Sequence, residues 1–206
     1  VDDVIDVIHE EATQDMYLLA GLSEADRVFS PARSAVRKRL PWMVLNLGTA
    51  FLAALVVGLF EQTLERLVAL AFFMPVVAGM GGNTGIQSLT VVTRGIALGE
   101  IEFSSGLRAL GKEVSVGLTN GVVIGTLAGL AAYAWQGSAV LGLAVFAAML
   151  VTMAVAGIMG AAVPLMLKAL DQDPAVASGV IVTTFTDVFG FATFLGVGTL
   201  LLDRLG

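Results

Sequence analysis

Five long apolar segments constrain this chain more than any other feature of its sequence. They lie at about residues 42–60, 67–92, 114–135, 139–167 and 175–202. Each is near or above the roughly 20 residues that an α-helix needs to cross a bilayer. Charged residues make up only 14% of the chain, against about 25% in soluble domains. The sequence therefore predicts an all-α integral membrane protein with five transmembrane helices per subunit.

Basic residues indicate how these helices are oriented. Two of them, Arg66 and Arg204, fall on one side of the predicted membrane. The other nine fall on the opposite side: Arg27, Arg33, Arg37, Lys38, Arg39, Arg94, Arg108, Lys112 and Lys168. Because basic residues accumulate in cytoplasmic loops, this pattern predicts a cytoplasmic N-terminus and a C-terminus outside. The expected location is the cell inner (cytoplasmic) membrane, crossed several times.

Residues 1–26 differ from the rest because they hold eight of the 17 acidic residues. Apolar residues recur there at three- and four-residue spacing, which predicts an amphipathic helix. Asp2, Asp6 and Glu10 then lie on one face, where like charges weaken a helix by a few tenths of a kcal/mol per pair. Two interpretations remain open, a solvated helix face and a helix that binds Mg²⁺ or Ca²⁺. Because the sequence starts at Val1 with no secretory signal, we expect a preceding N-terminal portion.

Small residues predict close packing between the helices. The third segment carries glycines at four-residue spacing, which form one smooth ridge on a helix: Gly117, Gly121, Gly125 and Gly129. The fourth segment repeats this pattern more weakly: Ala156, Gly157, Gly160 and Ala161. Such ridges allow a neighbouring backbone to approach closely. Whether the neighbour belongs to the same subunit stays open at this stage.

The second segment contains the stretch MPVVAGMGGNTGIQS (74–88), which favours irregular backbone at membrane depth. Pro75 removes a backbone donor and four glycines loosen the helix, while Asn83 and Gln87 add polar groups. Broken helices line many ion paths. The alternative is a glycine hinge whose amides are satisfied locally. Asn83 and Gln87 are therefore candidate pore-lining residues. The alternative for both, and for Asn120, is that their amides hydrogen-bond between helices and hold the bundle together.

Asp187 lies near the middle of the fifth segment, in the stretch TTFTDVFGF (183–191). Thr183, Thr184 and Gly190 lie within one turn of it and form a narrow polar strip, which makes them candidate pore-lining residues. No Lys or Arg occupies the interior of a predicted span, and an ionised carboxylate in hydrocarbon costs ~2.5–3.5 kcal/mol. The carboxyl is then protonated, hydrogen-bonded to Asn120 or a threonine, or exposed to water and a cation. An uncompensated membrane carboxylate favours a cation or proton pathway.

The available ligands favour a hydrated divalent ion. With no cysteine and a single histidine, His9, the chain cannot build a thiolate or multi-histidine metal site. Mg²⁺ prefers oxygen ligands and releases its waters reluctantly, and one carboxylate per chain is too sparse for a dehydrated site. Five helices are also few for an internal pore. Since two-fold dimers are the commonest closed oligomers, a homodimer would place two copies of Asp187 in one pathway.

Four stretches carry a family resemblance. MPVVAGMGGNTGIQS, KEVSVG, DPAVAS and TTFTDVFGF, in this order, resemble the transmembrane domain of the MgtE family of Mg²⁺ channels and transporters. The opening VDDVIDVIHEEATQDMYLLAGL is similar to the end of the family's second CBS domain running into its connecting helix. The resemblance covers essentially the whole chain.

The resemblance implies homodimers with the ion path between subunits and hydrated Mg²⁺ at Asp187. It places Asp173 at the cytoplasmic mouth, in addition to the helix-capping role that an aspartate before Pro174 favours. It also implies an acidic plug helix at about residues 3–22. The candidate Mg²⁺ bridges of that helix are Glu10, Glu11 and Asp15.

The resemblance further implies cytoplasmic N and CBS domains in the full-length protein. Their sequences are not part of this chain, so we expect it to conduct constitutively or to gate weakly. Residues 1–30 would form the connecting and plug helix, and residues 31–206 the five-helix pore domain.

The predicted function is a Mg²⁺-selective channel that passes hydrated ions through a dimeric pore down the electrochemical gradient. Mn²⁺, Co²⁺ or Ca²⁺ are expected as surrogate ions. The alternative is a transporter that couples a divalent cation to H⁺ or Na⁺ at the same aspartate. No catalysis and no nucleic-acid partner are expected. A membrane aspartyl protease, for example, needs two carboxylates that share a proton, and the predicted spans contain one.

Overall fold

A computed structural model of the chain describes residues 14, 16–22, 28–101, 105–175 and 178–205, and the regular elements within these ranges are helices. The labelled helices are α1 (Ala32–Gly58), α2 (Glu61–Arg66), α3 (Ala69–Ala97), α4 (Gly106–Gln136), α5 (Ala139–Ala169) and α6 (Ser178–Leu205). All but the short α2 are long and apolar enough to cross a membrane. The predicted all-α fold with five spans is therefore confirmed.

Several helices are longer than the apolar segments that predicted them. Helix α1 begins at Ala32 and α4 begins at Gly106, ahead of the predicted segments that start at residues 42 and 114. The predicted break at 61–66 is itself the short helix α2. Charged side chains at helix ends extend toward the aqueous interface while their backbone remains helical. Hydropathy therefore marks only the central part of such a helix.

Helix α3 is continuous from Ala69 to Ala97, so the irregular backbone expected in the second segment is absent. Pro75 lies near the start of the helix, where a missing donor and ring clash disturb few turns. Gly81 and Gly85 are buried, and a Cβ at Gly85 would lie 2.6 Å from the Val182 side chain. Close packing through these glycines offsets their poor helix propensity, because tertiary contacts supply most helical stability.

The glycine ridge of α4 packs against α5 of the same chain. A Cβ built on Gly121 would lie 3.0 Å from the Cα of Leu150, and one on Gly129 would lie 2.7 Å from the carbonyl oxygen of Gly142. Because the obstructing atoms are backbone, neither helix could accommodate a side chain without moving. The predicted close packing is confirmed, and its partner is intramolecular.

Helix α5 is the central element and packs against α3, α4 and α6. The largest core cluster joins α3, α5 and α6 with one residue of α4: Leu70, Phe73, Val77, Ala132, Leu141, Ala144, Val145, Ala148, Met149, Met153, Phe194 and Leu195. By contrast, α1 packs mainly along α6, and Ala53 is its one buried residue in the described chain. Helix α1 therefore lies at the edge of the bundle.

Helices α2 and α6 are joined by a hydroxyl pair. The Oγ1 atoms of Thr63 and Thr199 lie 2.7 Å apart, and Thr63 is buried. We expect Thr63→Val to lower the free energy of unfolding by about 0.6 kcal/mol, the average for an interhelical hydrogen bond in a membrane protein. Thermal unfolding in detergent measures the change. Thr90→Val is the control, since exposed Thr90 donates only to the Ile86 carbonyl of its own helix; an equal loss in both variants would contradict the prediction.

Candidate functional site

A polar cavity of about 470 Å³ opens on the face shared by α3 and α4. Asn83 and Gln87 of α3 and Asn120 of α4 line it, and Met153 of α5 contributes to its wall. Asn83 and Gln87 are exposed, and Asn120 is half-buried. None of the three amides hydrogen-bonds to a residue that the structure describes. They therefore do not tie the helices of one protomer together, and their polar groups face the cavity.

Asp187 lies well inside α6 and is half-buried. Within the described ranges its carboxylate makes no hydrogen bond and no ion pair. One of the three alternatives for Asp187, a hydrogen bond to Asn120 or to a threonine, is therefore not observed among the described residues. Thr183 and Thr184 instead direct their hydroxyls to their own helix, and both donate to the Val180 carbonyl, at 3.1 and 2.6 Å.

The predicted polar strip on α6 does not open into one groove of the protomer. Thr184 lines a smaller, largely apolar cavity of about 210 Å³ against Leu45 and Thr49 of α1. Gly190 is buried, and a Cβ there would lie 3.2 Å from the Oγ1 of Thr152 on α5. The structure therefore brings Asn83 and Gln87 together, and it places Thr184 and Gly190 against other neighbours.

Asp173 is exposed in the connection between α5 and α6. Its Oδ1 accepts a hydrogen bond from the backbone N–H of Ala175 at 2.8 Å. This bond stabilises the turn, and α6 begins only at Ser178, so the helix-capping role and the role at an ion mouth both stay predictions. The other candidate metal ligands lie outside the described residues: Glu10, Glu11 and Asp15.

Glu113 is a buried carboxylate of α4 that the sequence prediction missed. It is 3% exposed, accepts a hydrogen bond from Ser88 Oγ at 2.7 Å, and pairs with Lys112 Nζ at 2.7 Å. Both oxygens of Glu113 are engaged in this way. It lies one residue before the predicted third span, in the first part of α4. The signal was its spacing, because Glu113 precedes Gly117 by four residues and so lies on the buried glycine ridge.

The protomer does not assemble a dehydrated metal cage from its described side chains. Among them no three His, Cys, Asp or Glu residues come together in a group that would hold an ion.

The helices define a multi-pass membrane protein. Its long apolar helices carry amides and a carboxylate that has no ionic partner among the described residues, and such polar groups are typical of proteins that move ions. A family model, MgtE, a divalent cation transporter, matches residues 74–197. The chain belongs to this family.

Curated relatives agree over the whole chain. It is 36% identical over 205 residues to the magnesium transporter MgtE of Bacillus subtilis (strain 168), and 36% identical over 207 residues to that of Thermus thermophilus. Both alignments cover 100% of this chain and 46% of the relative. A third, from Enterococcus faecalis, is 33% identical over 202 residues, covering 98% of this chain and 44% of the relative. The chain thus spans less than half the length of these relatives.

Proposed function

We propose that this chain is the membrane domain of a divalent cation transporter, and that it works as a dimeric channel for hydrated Mg²⁺. The observation that carries the proposal is the half-buried Asp187 carboxylate, which has no hydrogen-bonding or ionic partner among the described residues. A charge at this depth needs a counter-charge, and a hydrated cation supplies one. Membership of a family described as divalent cation transporters supports the ion class.

The position of the polar groups supports a path between two copies of the chain. Asn83 and Gln87 are exposed on the outside of the protomer, and Asp187 is half-buried rather than enclosed by the five helices. Exposed amides in contact with lipid would lack partners, which is costly in hydrocarbon. A second protomer that covers these faces would enclose a polar, water-filled path. Two copies of Asp187 would then contribute to a shared acidic site, a common selectivity device.

Mg²⁺ would enter the cytoplasm down its electrochemical gradient. The membrane potential contributes about 2.3 kcal/mol per charge per 100 mV, and about double that for a divalent cation. This driving force suffices without a coupled ion. We place the protein in the cytoplasmic membrane, and the longer relatives support the proposal that further domains supply its regulation.

A transporter coupled to H⁺ or Na⁺ at Asp187 is the competing proposal. Purified protein in liposomes separates the two, with Mg²⁺ uptake recorded by an internal indicator under an imposed membrane potential. A channel predicts uptake that follows the potential and is unchanged by a tenfold proton or sodium gradient. Uptake that requires either gradient, or that reverses when the gradient is reversed, would contradict the channel.

The charge of Asp173 and its hydrogen bond in the turn are separable. Asp173→Asn keeps an oxygen that accepts from the Ala175 N–H, but it removes the negative charge. Because a charge at a channel mouth raises the local cation concentration, we expect a two- to tenfold loss of Mg²⁺ flux, roughly, that shrinks as ionic strength rises. Flux assays at low and high salt measure it. A loss that is independent of salt would contradict an electrostatic role.

A further inference from the structure

Helices α3 and α4 are joined by a buried polar link that the proposed transport path does not use. Ser88 Oγ on α3 donates to Glu113 Oε2 on α4 at 2.7 Å, and both residues are buried. Lys112 Nζ lies 2.7 Å from the other carboxylate oxygen and is itself largely exposed. The charge of Glu113 is therefore compensated, which distinguishes it from Asp187. We call this hydrogen bond the Ser88–Glu113 link.

Helix α5 fits closely against both ends of the Ser88–Glu113 link. A Cβ on Gly160 would lie 2.7 Å from the Cβ of Ser88, and a Cβ on Gly157 would lie 2.5 Å from the carbonyl oxygen of Glu113. The three helices thus meet at one level with no space between them. A packed junction of this kind allows few alternative arrangements.

The polar cavity is lined by the same three helices that meet at this junction. Gln87 precedes Ser88 on α3, and Asn120 follows Glu113 by seven residues on α4, so that Asn120 and Glu113 share a helix face. Successive residues of a helix point about 100° apart. A rotation of α3 that separated Ser88 from Glu113 would therefore also change how Gln87 and Asn83 face Asn120.

We propose that Glu113 and Ser88 are positioning residues that fix the rotation of α3 relative to α4. The link holds the amides of Asn83 and Gln87 toward Asn120 and so sets the shape of the cavity wall. Neither residue contacts the cation. The consequence for ion flux rests on the proposed function, whereas the positioning itself is a property of the fold that can be measured separately.

The test uses the absence of cysteine from this chain. The full chain carrying Asn83→Cys and Asn120→Cys is reacted with a short bifunctional thiol reagent, and the cross-linking rate is measured. Adding Ser88→Ala is expected to slow the reaction about fivefold, the effect of losing one typical hydrogen bond. Glu113→Gln, which keeps an oxygen for Ser88, is expected to retain the parent rate. A rate in Glu113→Gln as slow as in Ser88→Ala would overturn the assignment to this hydrogen bond.

Ser115→Ala is the matched control. Ser115 lies on α4, two residues after Glu113, but it is exposed and donates to the Gly111 carbonyl of its own helix at 2.8 Å. Its replacement is expected to leave the cross-linking rate unchanged. Equal rates for Ser88→Ala and Ser115→Ala would overturn the inference, whatever flux either variant carries.

Flux provides the second readout, recorded with Ser88→Ala in the chain that keeps its native asparagines. Altered positioning is expected to shift the Mg²⁺ concentration at half-maximal flux, whereas a folding defect would lower only the maximal flux. If Ser88→Ala slows the cross-linking reaction but Asp187→Asn carries full flux, the proposed function is overturned and the positioning role is retained. A slowed cross-link with an unchanged half-maximal concentration would overturn the link as a determinant of permeation.

Discussion

Asp187→Asn is expected to reduce Mg²⁺ flux to less than about a tenth of the parent value, because the amide removes the negative charge while preserving the side chain's size. Even with the screening of bulk water, a unit charge about 5 Å from a divalent ion contributes about 1.7 kcal/mol, which exceeds a tenfold change in binding. A less polar path and the second protomer would increase the effect. Uptake into liposomes at matched protein density measures it.

The control for this experiment is Asp171→Asn. Asp171 is an exposed aspartate in the connection between α5 and α6, with a backbone φ of 57° that asparagine also tolerates. We expect its flux to fall far less than that of Asp187→Asn, and any loss to shrink at high ionic strength as it does for Asp173→Asn. We also expect Asp187→Asn to unfold no earlier than the parent in detergent, because a neutral amide is less costly to bury than a charge. Full flux in Asp187→Asn would contradict the channel and leave Asp187 as a buried, neutral residue.

Gly117→Leu is expected to cause the largest loss of stability, about 3 kcal/mol or more. A Cβ on Gly117 would overlap the carbonyl oxygen of Met153, so a whole leucine side chain would force α4 and α5 apart. The obstruction is backbone and lies at the middle of a tightly packed pair, and it offers no flexible side chain that could move aside. Thermal unfolding in detergent, together with the yield of monodisperse protein, measures the change.

Gly111→Leu is the matched control on the same helix. Gly111 is exposed, and a Cβ there would meet no atom within 4 Å. Leucine also has a higher helix propensity than glycine, so we expect stability to be unchanged or slightly raised. Similar unfolding temperatures for Gly117→Leu and Gly111→Leu would contradict the packing role of the ridge.

The sequence predicted the helices and the glycine ridge because both follow from local periodicity. Apolar length alone indicated five spans, and the four-residue spacing from Gly117 to Gly129 indicated a packed face. The continuity of α3 was not predictable in this way. Its glycines suggest a weak helix by propensity, and contacts such as that of Gly85 with Val182 arise only once the bundle has formed.

The polar residues of the candidate site could be predicted from the sequence, but their arrangement around a cavity could not. Asn83, Gln87 and Asp187 were identifiable as polar groups in apolar segments, but which of them share a cavity depends on helix rotation. Glu113 was missed because hydropathy assigns charged residues near a helix end to the connection. Its burial depends on Ser88, a partner from another helix. The threonines near Asp187 were predicted to form a polar strip beside it, whereas the Thr184 hydroxyl donates to the backbone of its own helix.

The most direct measurement is an anomalous-scattering map from crystals of this protein grown with Mn²⁺ in place of Mg²⁺. The account predicts a peak about 4–5 Å from the Asp187 carboxylate, the separation of an ion that keeps its inner waters, and predicts its loss in Asp187→Asn. A carboxylate enclosed by apolar side chains, with neither solvent nor a metal peak beside it, would contradict the account.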